Sequence, residues 1–480
     1  MIMTFLKVQQ FCSGFALGLF AIGLLPQSSF AQSTNQCDLS GAIATIINRP
    51  ENQKAYWGIA VQNIETDQLI YANNAEKTFT PASTHKLLTT AAALAYFGSD
   101  YQFKTPIYTV GNAPHLEKLI IKGVGNPTLT TQQLKNSLAL LQTKGINHID
   151  EIIVDDSYFQ KSSINPTWEW SDLPWYYATS VNSLILNENI VTVTVSPNEI
   201  GKPAIIEWSD AIAARQWNLQ SSLMTTDTGE MRPTEPTQTY GSNELITTGE
   251  LSVDAEPQNW FLAIPDPSQY AVETTAKLLL ESGISINTMS VYHVEYPLDQ
   301  AQLFTIIPSD SLGEIIRQTN QDSRNLFAES LRQILMSEAQ NIPDLLTDLG
   351  VDPNNYRLRD GSGLSRHNLA TPMTFVQVLD GMAAHSEAAA YQNSLAIAAT
   401  SGTLSRRFQD TPITGNFFGK TGSMTNVGAL SGYLNIDGDR PIALSILVNQ
   451  SEQSGSVIRR GIDDVVGAIY DWGQCGGDRP

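Results

Sequence analysis

The sequence predicts an α/β protein of the α+β kind: a five-stranded antiparallel sheet flanked by helices, interrupted by a large mixed insertion of one or two smaller domains. Three observations predict it. Two strand-like runs at residues 56–64 and 68–72 flank a Glu-Thr-Asp turn and lead into a Leu/Ala-rich helix. Three more strand-like runs, at 417–423, 429–436 and 442–449, follow one another near the C-terminus, with Asp437-Gly438-Asp439 as a hairpin turn and a last helix over about 457–472. The residues between about 101 and 300 have a different texture, rich in aromatics and turn residues, with no repeat and no low-complexity tract. The expected organisation is therefore a leader at 1–31, a discontinuous main domain at 32–100 and 301–480, and inserted accessory domains at 101–300.

Taken in order, the chain opens on a segment whose one charge is Lys7, followed by an apolar run and then Pro26 and Ser29-Phe30-Ala31 before Gln32. This reads as a secretory signal with a small-x-small cleavage site after Ala31. The run of about 15 apolar residues is short for a membrane span, which needs roughly 20, so no stable span is expected after cleavage. Export to the periplasm or cell envelope follows. Cys12 would leave with the signal, and the two remaining cysteines, Cys37 and Cys475, stand at the extremes of the mature chain. In an oxidising compartment they are expected to form a disulfide. A five-stranded sheet built from both ends of the chain would bring them together.

The main domain is expected to begin with a short helix at 39–47. Within the insertion, strands are expected at 119–121, 152–154 and 190–195, and a helix near 132–142. A Trp/Tyr cluster at 168–177 reads as core. The polar stretch 225–249 reads as a loop or strand edges with long turns. Helices return at 312–319 and 326–336. With 480 residues and 42% hydrophobic content the chain has material for a large core. Its formal charge of −20 argues against a nucleic-acid groove and against general affinity for anionic membranes. The six histidines are scattered without metal-ligand spacing, so neither metal nor cofactor is expected.

The chemistry is expected in the stretch 80–94. Pro81 suits a helix entry, which places Ser83 in the first turn and Lys86 three residues on, on the same face. A lysine buried beside a serine at a helix start can lose its proton near neutral pH and act as the base that a lone serine lacks. Ser-x-x-Lys alone is a weak signal, but Lys420-Thr421-Gly422 occurs once in the chain, on a predicted strand where Gly422 permits close backbone approach. Ser-x-Asn occurs six times, at Ser33, Ser163, Ser180, Ser196, Ser285 and Ser323. Ser323-Arg324-Asn325 is selected because a helix follows it and it lies between the other two elements.

Together these three elements, in this order, are those of penicillin-recognising serine enzymes. The sequence resembles the class C low-molecular-mass (type-4) penicillin-binding proteins, the D-alanyl-D-alanine carboxypeptidases and endopeptidases. Similar intervals between the elements support this, as do Asp360-Gly361-Ser362-Gly363-Leu364-Ser365-Arg366, which looks like that family's Asp-Gly-Ser-Gly-Leu-Ser-Arg signature, and Gly123-Val124-Gly125-Asn126-Pro127-Thr128-Leu129, which resembles its Gly-x-Gly-Asp-Pro-x-Leu turn with Asn126 in place of Asp.

The resemblance implies a penicillin-binding/β-lactamase-like transpeptidase domain that acts on peptidoglycan stem peptides and is acylated by β-lactam antibiotics. Ser83 would be the nucleophile and Lys86 its base. Ser323 would relay a proton to the leaving amine, Asn325 would orient Lys86 and the substrate, and Lys420 would supply positive charge. Thr421, Gly422 and Ser423 would hold the substrate's terminal carboxylate, and the backbone N–H groups of Ser83 and Ser423 would form the oxyanion hole. A pocket for a diaminopimelyl side chain is also implied, with Arg366 meeting its carboxylate and either Asp155 or Asp156 its ammonium. Asp360 to Ser365 reads chiefly as a turn held by backbone bonds, and His85 as a packing or surface residue. Two other readings stand beside this one. A non-catalytic peptidoglycan-binding envelope protein would need no nucleophile–base pair, and a β-lactamase would need a well-placed deacylating carboxylate, which the sequence does not identify: Glu188 is a glutamate but sits before a strand inside the insertion.

Overall fold

The N-terminal hairpin and the C-terminal meander close into one antiparallel sheet. The computed structural model describes residues 37–159, 164–227, 235–338, 340–436 and 440–475. The expected signal segment, Cys12 and the Asp437-Gly438-Asp439 turn lie outside these. The sheet runs in the order Ala396–Ile397, Phe417–Met424, Val427–Ile436, Arg440–Asn449, Tyr56–Asn63, Leu69–Asn73. Its closing seam pairs Tyr56 with Asn449 and Asn63 with Ile442. Five strands are those expected from the sequence. The sixth, Ala396–Ile397, is a two-residue edge strand too short to leave a periodic signal.

Because successive side chains alternate between faces, each strand serves two cores. Ile59, Val61, Leu430, Leu434 and Ile446 pack with the helices Leu39–Ile47 and Gly455–Gly473. Ala60, Ala429, Tyr433, Ala443 and Leu447 join the opposite core, which holds the helices Lys86–Phe97 and Pro372–Ala383. Alanines on that second face let the helix bearing Lys86 approach closely, and every residue from Lys86 to Leu94 is buried. Cys37 and Cys475 form a disulfide with a Cα–Cα separation of 5.7 Å. It ties the ends of the first and last helices together.

Residues 104–308 build three further sheets around their own apolar cluster, which includes Leu119, Ile152, Val193, Trp260 and Leu279. The largest has the order Ser285–Tyr292, His148–Asp155, His115–Lys122, Lys104–Asn112, Gln302–Pro308. The polar stretch expected as loop or strand edges instead contributes the nine-residue strand Glu244–Ser252, paired in parallel with Asn218–Thr226. Its threonines are β-branched and suit a pleated, half-buried surface, and Leu245, Thr247 and Leu251 are the positions turned inward.

Candidate active site

Ser83 and Lys86 are aligned by a tighter turn than an α-helix provides. Residues Ala82–His85 form a 3-10 turn, and the α-helix begins at Lys86. In a 3-10 turn side chains three apart eclipse one another, and Lys86 Nζ lies 2.9 Å from Ser83 Oγ. Ala82 takes the left-handed conformation, φ 48°, to start the turn. Two glycines permit the backbone packing around it. A Cβ on Gly363 would sit 2.0 Å from the Ala82 carbonyl oxygen, and one on Gly422 would sit 2.8 Å from that of Pro81.

Lys86 is fully buried, and its other two neighbours decide how its proton is held. Asn325 Oδ1 accepts from it at 2.6 Å and the Ser362 carbonyl at 2.7 Å. The Asn325 amide is oriented by its Nδ2, which donates to the Tyr177 carbonyl at 2.7 Å. Both of these lysine partners can only accept, while Ser83 Oγ can donate. A neutral amine therefore satisfies the site: two N–H groups go to Asn325 and Ser362, and the lone pair faces the Ser83 hydroxyl. Burial drives this, lowering the Lys86 pKa to about 7 against the opposing pull of Asp360 and Glu329.

A second serine–lysine pair faces the first. Lys420, on the strand Phe417–Met424, donates to Ser323 Oγ and to the Thr421 carbonyl, each at 2.9 Å. Burial holds its pKa well below the usual lysine value. Ser323, at φ 61°, sits between the helices Leu312–Gln321 and Asn325–Ser337. Asn325 begins the second of these, so one short turn supplies both Ser323 and Asn325.

Ser83, Ser323, Asn325 and Ser423 line a cleft of about 1020 Å³, and the two fully buried lysines reach it only through their serine partners. Thr421 Oγ1 donates to Thr403 Oγ1, which also lines the cleft. The Asp360–Ser365 segment is a bonded turn, as its glycines suggest. Asp360 accepts from the amides of Gly363 and Ser365, from Asn368 Nδ2 and from the Trp168 indole. Beneath it Glu329 Oε1 accepts from the amides of Gly361 and Ser362, and burial raises its pKa to about 7. This anchors the Ser362 carbonyl against Lys86. His85 is buried with Nε2 3.1 Å from the Asp360 carbonyl, and burial lowers its pKa to about 4.

Residues 39–468 match the model of the D-Ala-D-Ala carboxypeptidase 3 (S13) family. The chain belongs to that family. Membership places it among the serine-type D-Ala-D-Ala carboxypeptidases, which are hydrolases. It is 28% identical over 453 residues to a D-alanyl-D-alanine carboxypeptidase of Actinomadura sp. strain R39, covering 87% of this chain and 84% of the relative. It is 28% identical over 436 residues to a penicillin-sensitive carboxypeptidase A of Dictyostelium discoideum, with 83% of each chain covered. The crystal structure of penicillin binding protein 4 from Haemophilus influenzae superposes with a TM-score of 0.78 at 22% identity, over 89% of this chain and 99% of that one. Among the described residues no helix is long and apolar enough to cross a membrane.

The S13 chain departs from the sequence reading at the expected side-chain pocket. Arg366 does line the cleft, with Nε 2.6 Å from Glu169 and Nη1 donating to the Thr425 carbonyl at 3.1 Å. Asp155 and Asp156 do not. The Asp155 carboxylate is buried and accepts from the amides of Ser157 and Tyr296. Asp156 accepts from the amides of Ser183 and Leu184 and from Ser268 Oγ. Each accepts from two backbone amides near a strand end, and neither lines the cleft. The acidic groups facing the cleft are Glu169, Asp172, Glu188 and Asp322.

Tyr176 and Tyr177, from a cluster read as core, also line the cleft, whereas Trp168 is buried. Neither Glu329 nor Thr403 carries a sequence signal, since each stands outside any motif and acts through a fold-dependent contact.

Proposed function

We propose that this S13 chain is exported to the periplasm or cell envelope and hydrolyses the terminal D-alanyl-D-alanine bond of peptidoglycan stem peptides through an acyl-enzyme on Ser83. The single observation that carries this is the hydrogen-bond set of Lys86, in which only Ser83 can supply a proton. As Ser83 Oγ attacks the carbonyl carbon, its proton passes to Lys86 Nζ, and the backbone N–H groups of Ser83 and Ser423 receive the developing oxyanion. Ser323, backed by Lys420, relays the proton taken up by Lys86 to the departing D-alanine nitrogen, which returns Lys86 to its neutral form. Thr421 and Ser423 hold that residue's carboxylate, whose negative charge favours the ammonium form of Lys420 against burial. Water then cleaves the ester, with Lys86 again accepting the proton. Cross-linked peptides present the same bond type, so endopeptidase action uses the same residues.

A β-lactam presents an amide that Ser83 opens in the same way, giving an ester that hydrolyses slowly. A β-lactamase would need a carboxylate free to activate water. Glu188 faces the cleft, but both of its oxygens are within 3.0 Å of Arg324 Nη1, which ties up that carboxylate. Arg366 and Glu169, paired at 2.6 Å in the cleft, would exchange that ion pair for the carboxylate and ammonium of a substrate side chain.

The test is release of D-alanine from a muropeptide pentapeptide. The expected result is time-dependent release by the wild-type protein and none by Ser83→Ala. Equal release by both would remove Ser83 from the reaction, and release by neither would favour the non-catalytic binding protein.

A further inference from the structure

A second cluster of functional side chains lies on the sheet formed by residues 104–308, and none of its members lines the catalytic cleft. The strands His115–Lys122 and His148–Asp155 run parallel with His115 directly opposite His148. Asp150, two residues further along, shares the face of His148. On the other side of the His148 strand, Ser285 is opposite His148. Histidines separated by 33 positions in sequence are thus nearest neighbours, an arrangement that sequence spacing does not reveal. Their rings are 4.6 Å apart at 75°.

The donor atoms converge. His115 Nε2 is 2.8 Å from Asp150 Oδ2, His148 Nε2 is 3.2 Å from Asp150 Oδ1, and one ligand atom from each residue lies within 4.8 Å of the others. Tetrahedral zinc with bonds of 2.0–2.1 Å separates neighbouring donors by about 3.3 Å, so the cluster needs little adjustment.

The hydrogen bonds around it select the metal-binding tautomer. Ser285 Oγ donates its one proton to the Asn147 carbonyl at 3.2 Å, so at 2.7 Å it accepts from His148 Nδ1–H. That leaves the Nε2 lone pair directed into the cluster. Asn287 Nδ2 is consistent, lying 3.3 Å from Nε2 and 2.9 Å from Asp150 Oδ1. The outer bond to Ser285 is the kind that orients metal-ligating histidines.

We infer that His115, His148 and Asp150 form a divalent transition-metal site that clips neighbouring strands of this sheet. Two imidazoles and one carboxylate match the ligand chemistry of Zn2+, and three protein ligands leave a fourth position for water. Among the described residues no thiolate competes, because Cys37 and Cys475 are joined.

The test is calorimetric titration of the purified, untagged protein with Zn2+ alone at pH 7.5, alongside thermal unfolding with and without Zn2+. The expected result is one equivalent bound and a raised Tm. His115→Ala/His148→Ala should bind no Zn2+ in the same range, Ser285→Ala should bind about tenfold more weakly, and His293→Ala/His367→Ala should bind as wild type does. All variants should acylate with penicillin at the wild-type rate, which reports an intact fold. Absence of saturable uptake by the wild type, or uptake by the His115/His148 variant equal to wild type, would overturn the assignment without touching the carboxypeptidase reading.

Discussion

Glu188 grips Arg324, with its two carboxylate oxygens 2.7 and 3.0 Å from Arg324 Nη1. The pair joins the inserted region to the middle position of Ser323-Arg324-Asn325. Three consecutive residues, Asn187, Glu188 and Asn189, have left-handed backbones with φ between 52° and 56°. Such strain persists only where the surroundings enforce it. Here Asn187 bonds to the amide and hydroxyl of Thr131, and Asn189 to the Leu186 amide and the Ser180 carbonyl.

Removing Glu188 would leave a guanidinium uncompensated beside Ser323. Glu188→Ala is expected to slow acylation roughly tenfold, about 1.4 kcal/mol in the barrier. The pair is half-buried, so a double-mutant cycle with Arg324→Ala should give a coupling of about 1–2 kcal/mol. Stopped-flow penicillin acylation of the four proteins measures it, and a coupling near zero would make the pair incidental.

The lowered pKa of Lys86 sets the direction of the pH profile. Only the neutral amine accepts the serine proton, so the acylation rate should rise with pH through about 7. Glu329 opposes that neutral state. Glu329→Gln keeps an oxygen for the Gly361 and Ser362 amides while removing the charge, and should shift the acid limb to lower pH. A limb that stays in place, or moves upward, would separate Glu329 from Lys86. Lys86→Ala should reduce acylation by about 10³-fold or more at every pH.

Gly363 is predicted to be the least replaceable glycine of the site. Its φ is +86° and a Cβ would meet the Ala82 carbonyl oxygen at 2.0 Å. Gly363→Ala should destabilise the protein by about 3 kcal/mol or more and abolish acylation, because the clash is with the turn that carries Ser83. Gly422→Ala, with its nearest contact at 2.8 Å, should slow acylation and leave the fold largely intact. Urea unfolding and acylation rates on both variants separate the two effects.

The Cys37–Cys475 disulfide spans 438 positions. Replacing both cysteines by serine should lower stability by about 2–4 kcal/mol, through a less constrained unfolded chain. The acylation rate should not change, since neither residue lines the cleft. A lost rate with an intact fold would place the terminal helices in the path to the site.

Five strands of the central sheet, the flanking helices at its N- and C-terminal ends and both serine–lysine pairs were legible because each rests on a local pattern: alternation, helical spacing or a short motif. What was not legible depends on distant pairing. Asp155 and Asp156 look like ligands in a linear reading, and only the fold reveals the unpaired amides of Ser157, Tyr296, Ser183 and Leu184 that claim them. Glu188 was visible as a carboxylate, but its hold on Arg324 comes from the strained turn that aims it. Tyr176 and Tyr177 were read as core because aromatic content does not say which cluster member faces outward. The edge strand Ala396–Ile397 was too brief to carry a period.

The account is tested most directly by intact-protein and peptide mass spectrometry after incubation with benzylpenicillin. It predicts a single adduct equal to the whole antibiotic, carried on the peptide that contains Ser83, absent from Ser83→Ala and lost slowly on dilution. An unmodified wild-type protein, or an adduct that survives in Ser83→Ala, would contradict it.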